Sequence, residues 1–351
     1  MSISPNLKLI GTCPPFHPGF TLAQYKEAVR LEASRAERCG LSALLIYSDH
    51  SQVDPWLAAN ILLGESQSIS PLVAVQPMYM HPFSVAKMVC SLSTMYRRPV
   101  HLNFISGGFP RDLETFCDEA SHDQRYARVV EYGEIIRRLI TERRPCTFDG
   151  QYYRVSGLQL RAGPLAGDCI PMFTISGSSP AGEAAARQLG ARAIQYLRPS
   201  KEYRAGNLSI GLRHGTRLGL IVRDTAAEAW AVAHGRYPDN PNGEEMRDYF
   251  MKVSDSVWVK ELGRAVDIPV GHPYWLGPYR QFYAGCPFLV GSVEDVASEL
   301  ACYIDLGLRT FLLELLLSDE DGEYISAAFR RAADILKDKH PAKALQHFRG
   351  S

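Results

Sequence analysis

Short apolar runs rich in β-forming residues alternate along this chain with amphipathic stretches that have helical spacing. In several runs, such as residues 72–75, the apolar residues are nearly continuous, which is typical of strands buried on both faces. Strands of this kind occur in parallel sheets that helices cover on both sides. The candidate strands are residues 7–11, 42–47, 71–76, 99–105, 171–175, 191–197, 217–222 and 310–317.

Eight strands separated by helices predict an α/β fold, a closed (β/α)8 TIM barrel with insertion segments. An open doubly wound sheet is the alternative, and the absence of a GxGxxG motif after the first strand argues against it. We expect one barrel domain over residues 1–351. Residues 148–168 predict a hairpin-like insertion, and residues 239–291 predict a helical insertion. Within the second insertion, the aromatic segment 271–285 is the candidate lid of an active site, and a dimer-contact loop is the alternative.

The charge balance argues against nucleic acids and membrane surfaces as partners. Lys and Arg together number 38, and so do Asp and Glu, so no attraction to a polyanion is expected. The chain starts without a leader-like segment and has no apolar run of about 18 residues, which predicts a cytoplasmic protein without membrane spans. The eight cysteines are dispersed, which favours reduced structural thiols. No metal site is predicted, because His and Cys do not occur at ligand spacings.

A turn between a predicted strand and a predicted helix is the strongest candidate binding site. Gly177 permits close approach of the backbone, and Ser178 and Ser179 offer hydroxyls and amides where the helix begins. A helix dipole favours an anion at the N-terminus, so this pattern favours a phosphate ligand. An ordinary serine N-cap is the alternative.

Three other polar residues are candidate ligand contacts. His122 and Tyr126 lie four residues apart at the start of a long helix, so both can face one ligand. Asn103 interrupts an apolar strand, and burial of its amide is unfavourable unless a partner satisfies it. At the carboxyl end of a barrel strand that partner is often a ligand. A surface cap for His122 and a structural hydrogen bond for Asn103 are the alternatives.

The order of four segments resembles the luciferase-like flavin monooxygenases, and within them the alkanesulfonate monooxygenase branch. These segments are Asn-Phe-Ile-Ser-Gly-Gly at 103–108, Ser-His-Asp-Gln-Arg-Tyr at 121–126, Ser-Gly-Ser-Ser at 176–179 and Arg-Leu-Gly-Leu-Ile-Val-Arg-Asp-Thr at 217–225. The resemblance implies reduced FMN as the cofactor, a separate flavin reductase that supplies it, O2, and a small organic substrate oxidised through a C4a-peroxyflavin. It also implies a homodimer or homotetramer.

The same resemblance implies which residues bind the cofactor. The positions that hold the phosphate and ribityl chain of FMN correspond to Ser178, Ser179, His122 and Tyr126. The positions beside the flavin ring correspond to Asn103 and Ser106. The third-strand bulge that supports the ring, often with a non-prolyl cis peptide, corresponds to Ala74 and Val75.

Four residues are candidates for catalysis or substrate contact. Arg217 and Tyr324 match family positions that contact the substrate or close the site, and Arg280 matches a lid arginine with a shift of one residue. His50 follows the second strand and, with Asp49, resembles the acidic residue and histidine that luciferases place near the flavin. A histidine there can move a proton near neutral pH. A hydrogen bond within its own loop is the alternative for His50.

Two residues depart from the alkanesulfonate pattern. Gln52 stands in place of a cysteine and Gly219 in place of a histidine, so the use of FMN is better supported than a sulfonate substrate. The sequence therefore predicts a two-component, FMN-dependent monooxygenase. A deazaflavin-dependent oxidoreductase that transfers hydride and a non-catalytic flavin-binding subunit are the alternatives.

Overall fold

The computed structural model describes residues 7–50, 52–108, 110–204, 210–265 and 271–339. The ends of the predicted domain therefore lie outside the described residues, as do residues 266–270 of the predicted insertion. The strands in the described part of the chain are β1 (Lys8–Thr12), β2 (Ala43–Ile46), β3 (Ser70–Val75), β4 (His101–Phe104), β5 (Cys146–Asp149), β6 (Arg154–Leu158), β7 (Phe173–Ser176), β8 (Arg192–Tyr196), β9 (His214–Arg223), β10 (Tyr274–Trp275), β11 (Phe288–Ser292) and β12 (Thr310–Leu313).

Helices follow most of the strands and cover the outside of the sheet. They are α1 (Leu22–Arg38), α2 (Pro55–Glu65), α3 (Pro82–Tyr96), α4 (Pro110–Thr115), α5 (His122–Thr141), α6 (Pro180–Leu189), α7 (Ser200–Arg204), α8 (Ala226–Arg236), α9 (Gly243–Val253), α10 (Val257–Gly263), α11 (Gly277–Arg280), α12 (Val293–Asp305) and α13 (Asp319–Lys339). No helix in the described residues is long and apolar enough to cross a membrane.

Eight parallel strands close into a barrel in the order β1-β2-β3-β4-β7-β8-β9-β12, which confirms the predicted fold class. The barrel closes where β12 pairs with β1, with Lys8 opposite Thr310. On its other side β12 pairs with β9, with Leu313 opposite Leu218. All eight carboxyl ends therefore meet at one mouth, which is the end of a barrel where active sites lie.

Four strands lie outside the barrel. The antiparallel pair β5 and β6 forms the predicted hairpin, although it starts at Cys146, two residues before the predicted segment. The carboxyl half of β9 extends past the barrel and pairs in parallel with β11, with Gly219 opposite Phe288. Strand β10 then pairs with β11 in the antiparallel direction. The sequence did not predict β11, because all of its residues except Ser292 fall within the segment assigned to an insertion.

Successive side chains of each barrel strand point alternately outward and inward, and this divides the core into two parts. Residues such as Val73 and Val75 point outward and join the large cluster beneath the helices. Their neighbours point inward, as expected for a side-chain period of two. The inward residues form a small apolar cluster that fills the barrel, namely Ile10, Ala43, Leu45, Leu72, Ile194 and Leu312. The barrel is therefore closed below its mouth, and a ligand can enter only from above this layer.

Capping residues set where two helices at the mouth begin. Ser121 and Gln124 form a reciprocal capping box at the start of α5, with the Ser121 amide donating to Gln124 Oε1 at 2.8 Å. Ser179 caps α6, because its Oγ accepts from the Gly182 amide at 3.1 Å. Pro180 occupies the first helical position of α6, where a missing amide hydrogen does no harm.

A buried carboxyl group on α1 makes the stability depend on pH. The side chain of Glu32 is 1% exposed, and burial raises its pKa from 4.5 to about 7. The folded state therefore holds a proton that the unfolded state has lost between these values, so the free energy of unfolding should fall as pH rises from 4.5 to 7. The slope is at most about 1.4 kcal/mol per pH unit.

Glu32→Gln should abolish this fall in the free energy of unfolding between pH 4.5 and 7. The free energy would be measured by urea titration across that range. Glu27→Gln on the same helix is the control. The hydrogen bond from Arg30 lowers the pKa of Glu27, so this residue affects the pH dependence mainly below pH 4.5. The same slope in wild type and Glu32→Gln would contradict the assignment.

Candidate active site

A cavity of about 570 Å³ opens at the mouth of the barrel. Its size lies within the range of small-molecule and cofactor sites. Loops after β2, β3, β4 and β7 contribute to its wall, together with the last residue of β8 and residues of α9, α10 and the segment between them. Eight of the residues predicted from the sequence line this one cavity, namely His50, Ser106, His122, Tyr126, Gly177, Ser178, Ser179 and Arg217.

The turn between β7 and α6 lines the cavity and holds one unused hydroxyl group. The Ser178 Oγ is buried and has no hydrogen-bond partner among the described residues. Ser179 lines the cavity too, although its Oγ is already used as the cap of α6. Pro180 has no amide hydrogen, and the amides of Gly182 and Glu183 already donate to the Oγ and the carbonyl of Ser179. The helix dipole is nevertheless positive at this end. A buried hydroxyl without a partner at such an end fits a phosphate.

Gly177 and Tyr126 shape the same turn. A Cβ added to Gly177 would overlap the hydroxyl of Tyr126, so a side chain here would displace the ring or the turn. The Tyr126 Oη donates to the carbonyl of Ser176 at 3.3 Å, and burial raises the pKa of this phenol. The ring of His122 packs against that of Tyr126 at a centroid distance of 5.1 Å. Helix α5 thus contacts and supports the turn through the Tyr126 side chain.

His50 is held by a tyrosine at the rim of the cavity. Its Nε2 lies 2.7 Å from the Tyr79 Oη, and the rings of both residues pack near Phe116. Burial raises the pKa of Tyr79, and the charges of Asp112 and Asp49 raise it further. Tyr79 therefore stays protonated near neutral pH, and its hydroxyl can exchange a proton with His50.

Arg217 lies at the floor of the cavity in a partly buried ion pair. Its Nε and Nη2 both donate to Glu314 Oε1, at 2.8 and 2.5 Å. The guanidinium also lies over the ring of Tyr47, 5.0 Å from the centroid. Burial alone would lower the pKa of Arg217, but Tyr47 and Glu314 outweigh it and raise the pKa well above its usual value. Arg217 is therefore a fixed cation whose charge is matched by Glu314.

Comparison with known proteins decides the family. The family model described as luciferase-like monooxygenase matches residues 10–310 of the chain. The chain belongs to the luciferase-like monooxygenase family. This confirms the family that the sequence resembles and leaves the branch within it open.

Relatives are similar over nearly the whole chain. One is the 4-(gamma-L-glutamylamino)butanoyl-[BtrI acyl-carrier protein] monooxygenase BtrO of Niallia circulans, 29% identical over 84% of this chain and 88% of its own. Among solved structures, EDTA monooxygenase from Chelativorans sp. BNC1 has a TM-score of 0.67 at 16% identity, with 94% of each chain covered. The oxygenating constituent of 3,6-diketocamphane monooxygenase from Pseudomonas putida, in complex with FMN, has a TM-score of 0.62 at 18% identity and covers 93% of this chain and 96% of its own.

Asn103 lies below the cavity in this member of the luciferase-like monooxygenase family. Its Oδ1 accepts from Thr174 Oγ1 at 2.7 Å and from Ser176 Oγ at 3.1 Å. These hydrogen bonds across β4 and β7 account for the polar residue inside the strand. Asn103 is absent from the cavity lining, and of this group only Ser176 contributes to it.

The bulge expected at Ala74 and Val75 is not present. Both residues pair regularly with β4, opposite Asn103 and Phe104, and the peptide bond between them is trans. Val75 points outward into the core beneath the helices. The expectation was wrong because the paired strand continues without a break to Val75, so neither side chain reaches the cavity lining.

Arg280 and Tyr324 also lie away from the cavity lining. The Arg280 Nη2 donates to the carbonyl of Ala265 at 3.0 Å, so its side chain joins α11 to the segment after α10. Tyr324 lies on α13, and the guanidinium carbon of Arg223 lies over its ring, 5.4 Å from the centroid. We therefore give neither residue a role at the site.

The covering segment, residues 250–259 from the end of α9 to the start of α10, lines the cavity. It lies within the predicted insertion 239–291, but the sequence favoured residues 271–285 as the lid. Phe250 and residues 254–259 line the cavity, whereas the predicted lid contributes only Tyr279 and Gly285. Ser254 Oγ and the Asp255 amide both donate to the carbonyl of Gly108, each at 3.1 Å. The carboxylate of Asp255 forms an ion pair with the Arg125 guanidinium, which is 6% exposed. These contacts fasten the covering segment to α5 and to the loop after β4.

The two departures from the alkanesulfonate pattern have structural explanations. Gln52 Oε1 accepts from the Phe16 amide at 2.8 Å and holds the loop after β1, away from the cavity lining. A Cβ added to Gly219 would overlap the ring of Phe288. Phe288 on β11 thus fills the space that a larger residue at 219 would need.

Proposed function

We propose that this protein is a monooxygenase that binds reduced FMN and uses O2 to oxidise a small organic substrate. Family membership supports the reaction class. The observation that carries the cofactor assignment is the buried Ser178 hydroxyl at the N-terminal end of α6, for which the described part of the chain offers no hydrogen-bond partner. A relative with the same fold is known in complex with FMN.

The residues of the cavity fit the parts of FMN. Ser178 would hold the phosphate, because its hydroxyl is a donor at the positive end of α6. Tyr126 and His122 would lie along the ribityl chain, and Ser106 would lie beside the ring. Bound reduced FMN supplies the two electrons needed to insert one oxygen atom of O2 and to reduce the other to water.

The chain itself contributes water exclusion and a proton. Trp258 and Phe250 lie in the segment that covers the cavity, so closure of this segment keeps water from the reacting groups. His50 would move a proton at Nε2, the atom that faces the Tyr79 hydroxyl. Tyr79 would orient the imidazole and return the proton from solvent.

A separate flavin reductase completes the proposed reaction, since reduced FMN must be supplied from outside the chain. We also propose a cytoplasmic homodimer or homotetramer. All eight cysteines are unpaired in the structure, which fits a reducing compartment. Leu57 on α2 and Met95 on α3 are 64% and 70% exposed, and an apolar surface of this kind fits a subunit contact.

Oxygen consumption tests the proposal. The protein should bind reduced FMN under anaerobic conditions, and mixing with O2 and a substrate should then consume O2 in proportion to product. Binding of a deazaflavin with hydride transfer and no O2 uptake would replace the proposal with the dehydrogenase alternative. Binding of FMN without any oxidation of a panel of substrates would support the non-catalytic subunit.

His50→Gln should lower kcat by on the order of 100-fold and leave the Kd for FMN unchanged, because it removes the proton carrier without touching the phosphate site. Tyr79→Phe should lower kcat by about tenfold, because it keeps the imidazole but removes the group that orients it. Rates would be measured in single turnovers with saturating reduced FMN. Equal rates in wild type and His50→Gln would remove His50 from the mechanism.

A further inference from the structure

The floor of the cavity is the first polar layer above the apolar plug of the barrel. Side chains two residues further along a strand lie one layer higher on the same face. Tyr196 follows Ile194 of the plug in this way, and Glu314 follows Leu312. Arg217 pairs opposite Tyr196 on the neighbouring strand and lines the cavity. A ligand that extends to the bottom of the cavity therefore meets Arg217.

The charges in this layer cancel. Glu314 Oε1 accepts from two nitrogens of Arg217 and, at 3.2 Å, from the Cys286 thiol. Burial raises the pKa of Cys286 far above its usual value, and the negative charge of Glu314 raises it further, so the thiol stays neutral. Burial likewise raises the pKa of Tyr196 and keeps its phenol neutral. The charged groups that remain in this layer are Arg217 and Glu314, and they pair with each other.

The guanidinium is also restricted in the directions from which a ligand can approach it. Tyr47 covers one face, and Glu314 takes the edge formed by Nε and Nη2. An anion that reached Arg217 would have to share the guanidinium with Glu314. At close range in a partly buried site, the two like charges would repel each other. A neutral acceptor meets no such repulsion and can still accept from a guanidinium N–H. The Tyr196 ring adds an apolar wall. It lies against the Trp258 ring, with centroids 3.4 Å apart and ring planes at 31°.

We propose that Glu314 determines substrate specificity by neutralising Arg217, so that the substrate end at the cavity floor is an uncharged hydrogen-bond acceptor such as a carbonyl, ether or hydroxyl oxygen. Substrates with a carboxylate or sulfonate at that end are excluded. This inference rests on the proposed function in one respect: it takes the ligand that contacts Arg217 at the cavity floor to be the substrate.

Hexanamide and hexanoate are suitable probes, because they have the same length and differ in the charge of one end. Binding to the protein saturated with oxidised FMN would be measured by isothermal titration calorimetry. Wild type should bind hexanamide at least tenfold more tightly than hexanoate. Glu314→Gln nearly keeps the shape of the side chain but leaves the charge of Arg217 without a counter-ion. The variant should therefore bind hexanoate at least tenfold more tightly than wild type does. Equal binding of both probes by wild type, or an unchanged preference in Glu314→Gln, would overturn the proposal.

Thermal unfolding gives a second measurement on the same variants. Glu314→Gln should melt at a lower temperature than wild type, and hexanoate should raise its melting temperature more than hexanamide does. If the single variant does not fold, Arg217→Gln/Glu314→Gln, which has neither charge, should keep the preference for hexanamide. A preference of the double variant for hexanoate would overturn the proposal. The titrations can be repeated without flavin, so a failure of FMN to bind would count against the proposed cofactor and not against Glu314.

Discussion

Ser178→Asp should weaken the binding of FMN by at least on the order of 100-fold. The substitution replaces a donor of the phosphate site with a carboxylate a few ångströms from the phosphate, and the repulsion between them at a partly buried site amounts to about 3 kcal/mol or more. The fold should be unaffected, because the Ser178 Oγ makes no hydrogen bond that the variant would lose. The Kd would be measured by quenching of flavin fluorescence under anaerobic and aerobic conditions.

Two controls separate the phosphate from the rest of the cofactor. Ser178→Ala removes one hydrogen bond to a charged group, so the Kd for FMN should rise by roughly tenfold. Riboflavin, which has no phosphate, should bind wild type and Ser178→Asp with similar affinity. If Ser178→Asp binds FMN as tightly as wild type does, the phosphate lies elsewhere.

Asp255→Ala should lower the free energy of unfolding by about 3 kcal/mol, because it leaves the Arg125 guanidinium buried without its counter-ion. Arg154→Ala is the matched control. Arg154 forms an ion pair with Asp149 in which the two side chains are 80% and 72% exposed. Exposed pairs contribute little, so the control should change stability by less than about 0.5 kcal/mol. Urea unfolding monitored by circular dichroism measures both.

The same variant should uncouple oxygen use from product formation. Asp255 joins the segment that covers the cavity to α5, so its loss should open the cavity to water and release hydrogen peroxide. We expect the ratio of product to consumed O2 to fall severalfold in Asp255→Ala and to stay unchanged in Arg154→Ala. Full coupling in a destabilised Asp255→Ala would mean that the ion pair serves stability alone.

Hydrophobic periodicity was sufficient to predict the barrel. Each of the eight predicted strands overlaps a strand of the structure, because strands buried on both faces leave a nearly continuous apolar run. Strand β11 was missed, since Phe288–Ser292 follows a long irregular segment and pairs with an extension of β9 outside the barrel. Such pairing depends on how far β9 continues, which no local pattern in the sequence reveals.

The sequence was most informative about the site where residues able to bind a ligand lie at the start of a helix or the end of a strand. Ser178 and Tyr126 come from helix starts beside strand ends, and the barrel topology alone brings these to one mouth. The Arg125–Asp255 pair joins residues 130 positions apart and has no sequence signal. Arg280 illustrates the opposite error, because its place in an aromatic loop suggested a lid but its side chain turns toward the carbonyl of Ala265. Side-chain direction within irregular segments is set by packing and not by spacing.

The most direct test of the cofactor site is a crystal structure of the protein with FMN bound. We predict a phosphate oxygen within hydrogen-bond distance of Ser178 Oγ, at the N-terminal end of α6, with the flavin ring inside the barrel mouth above Arg217. A structure in which the phosphate binds elsewhere, or in which Ser178 faces protein atoms and the ring does not enter the cavity, would contradict the proposed function.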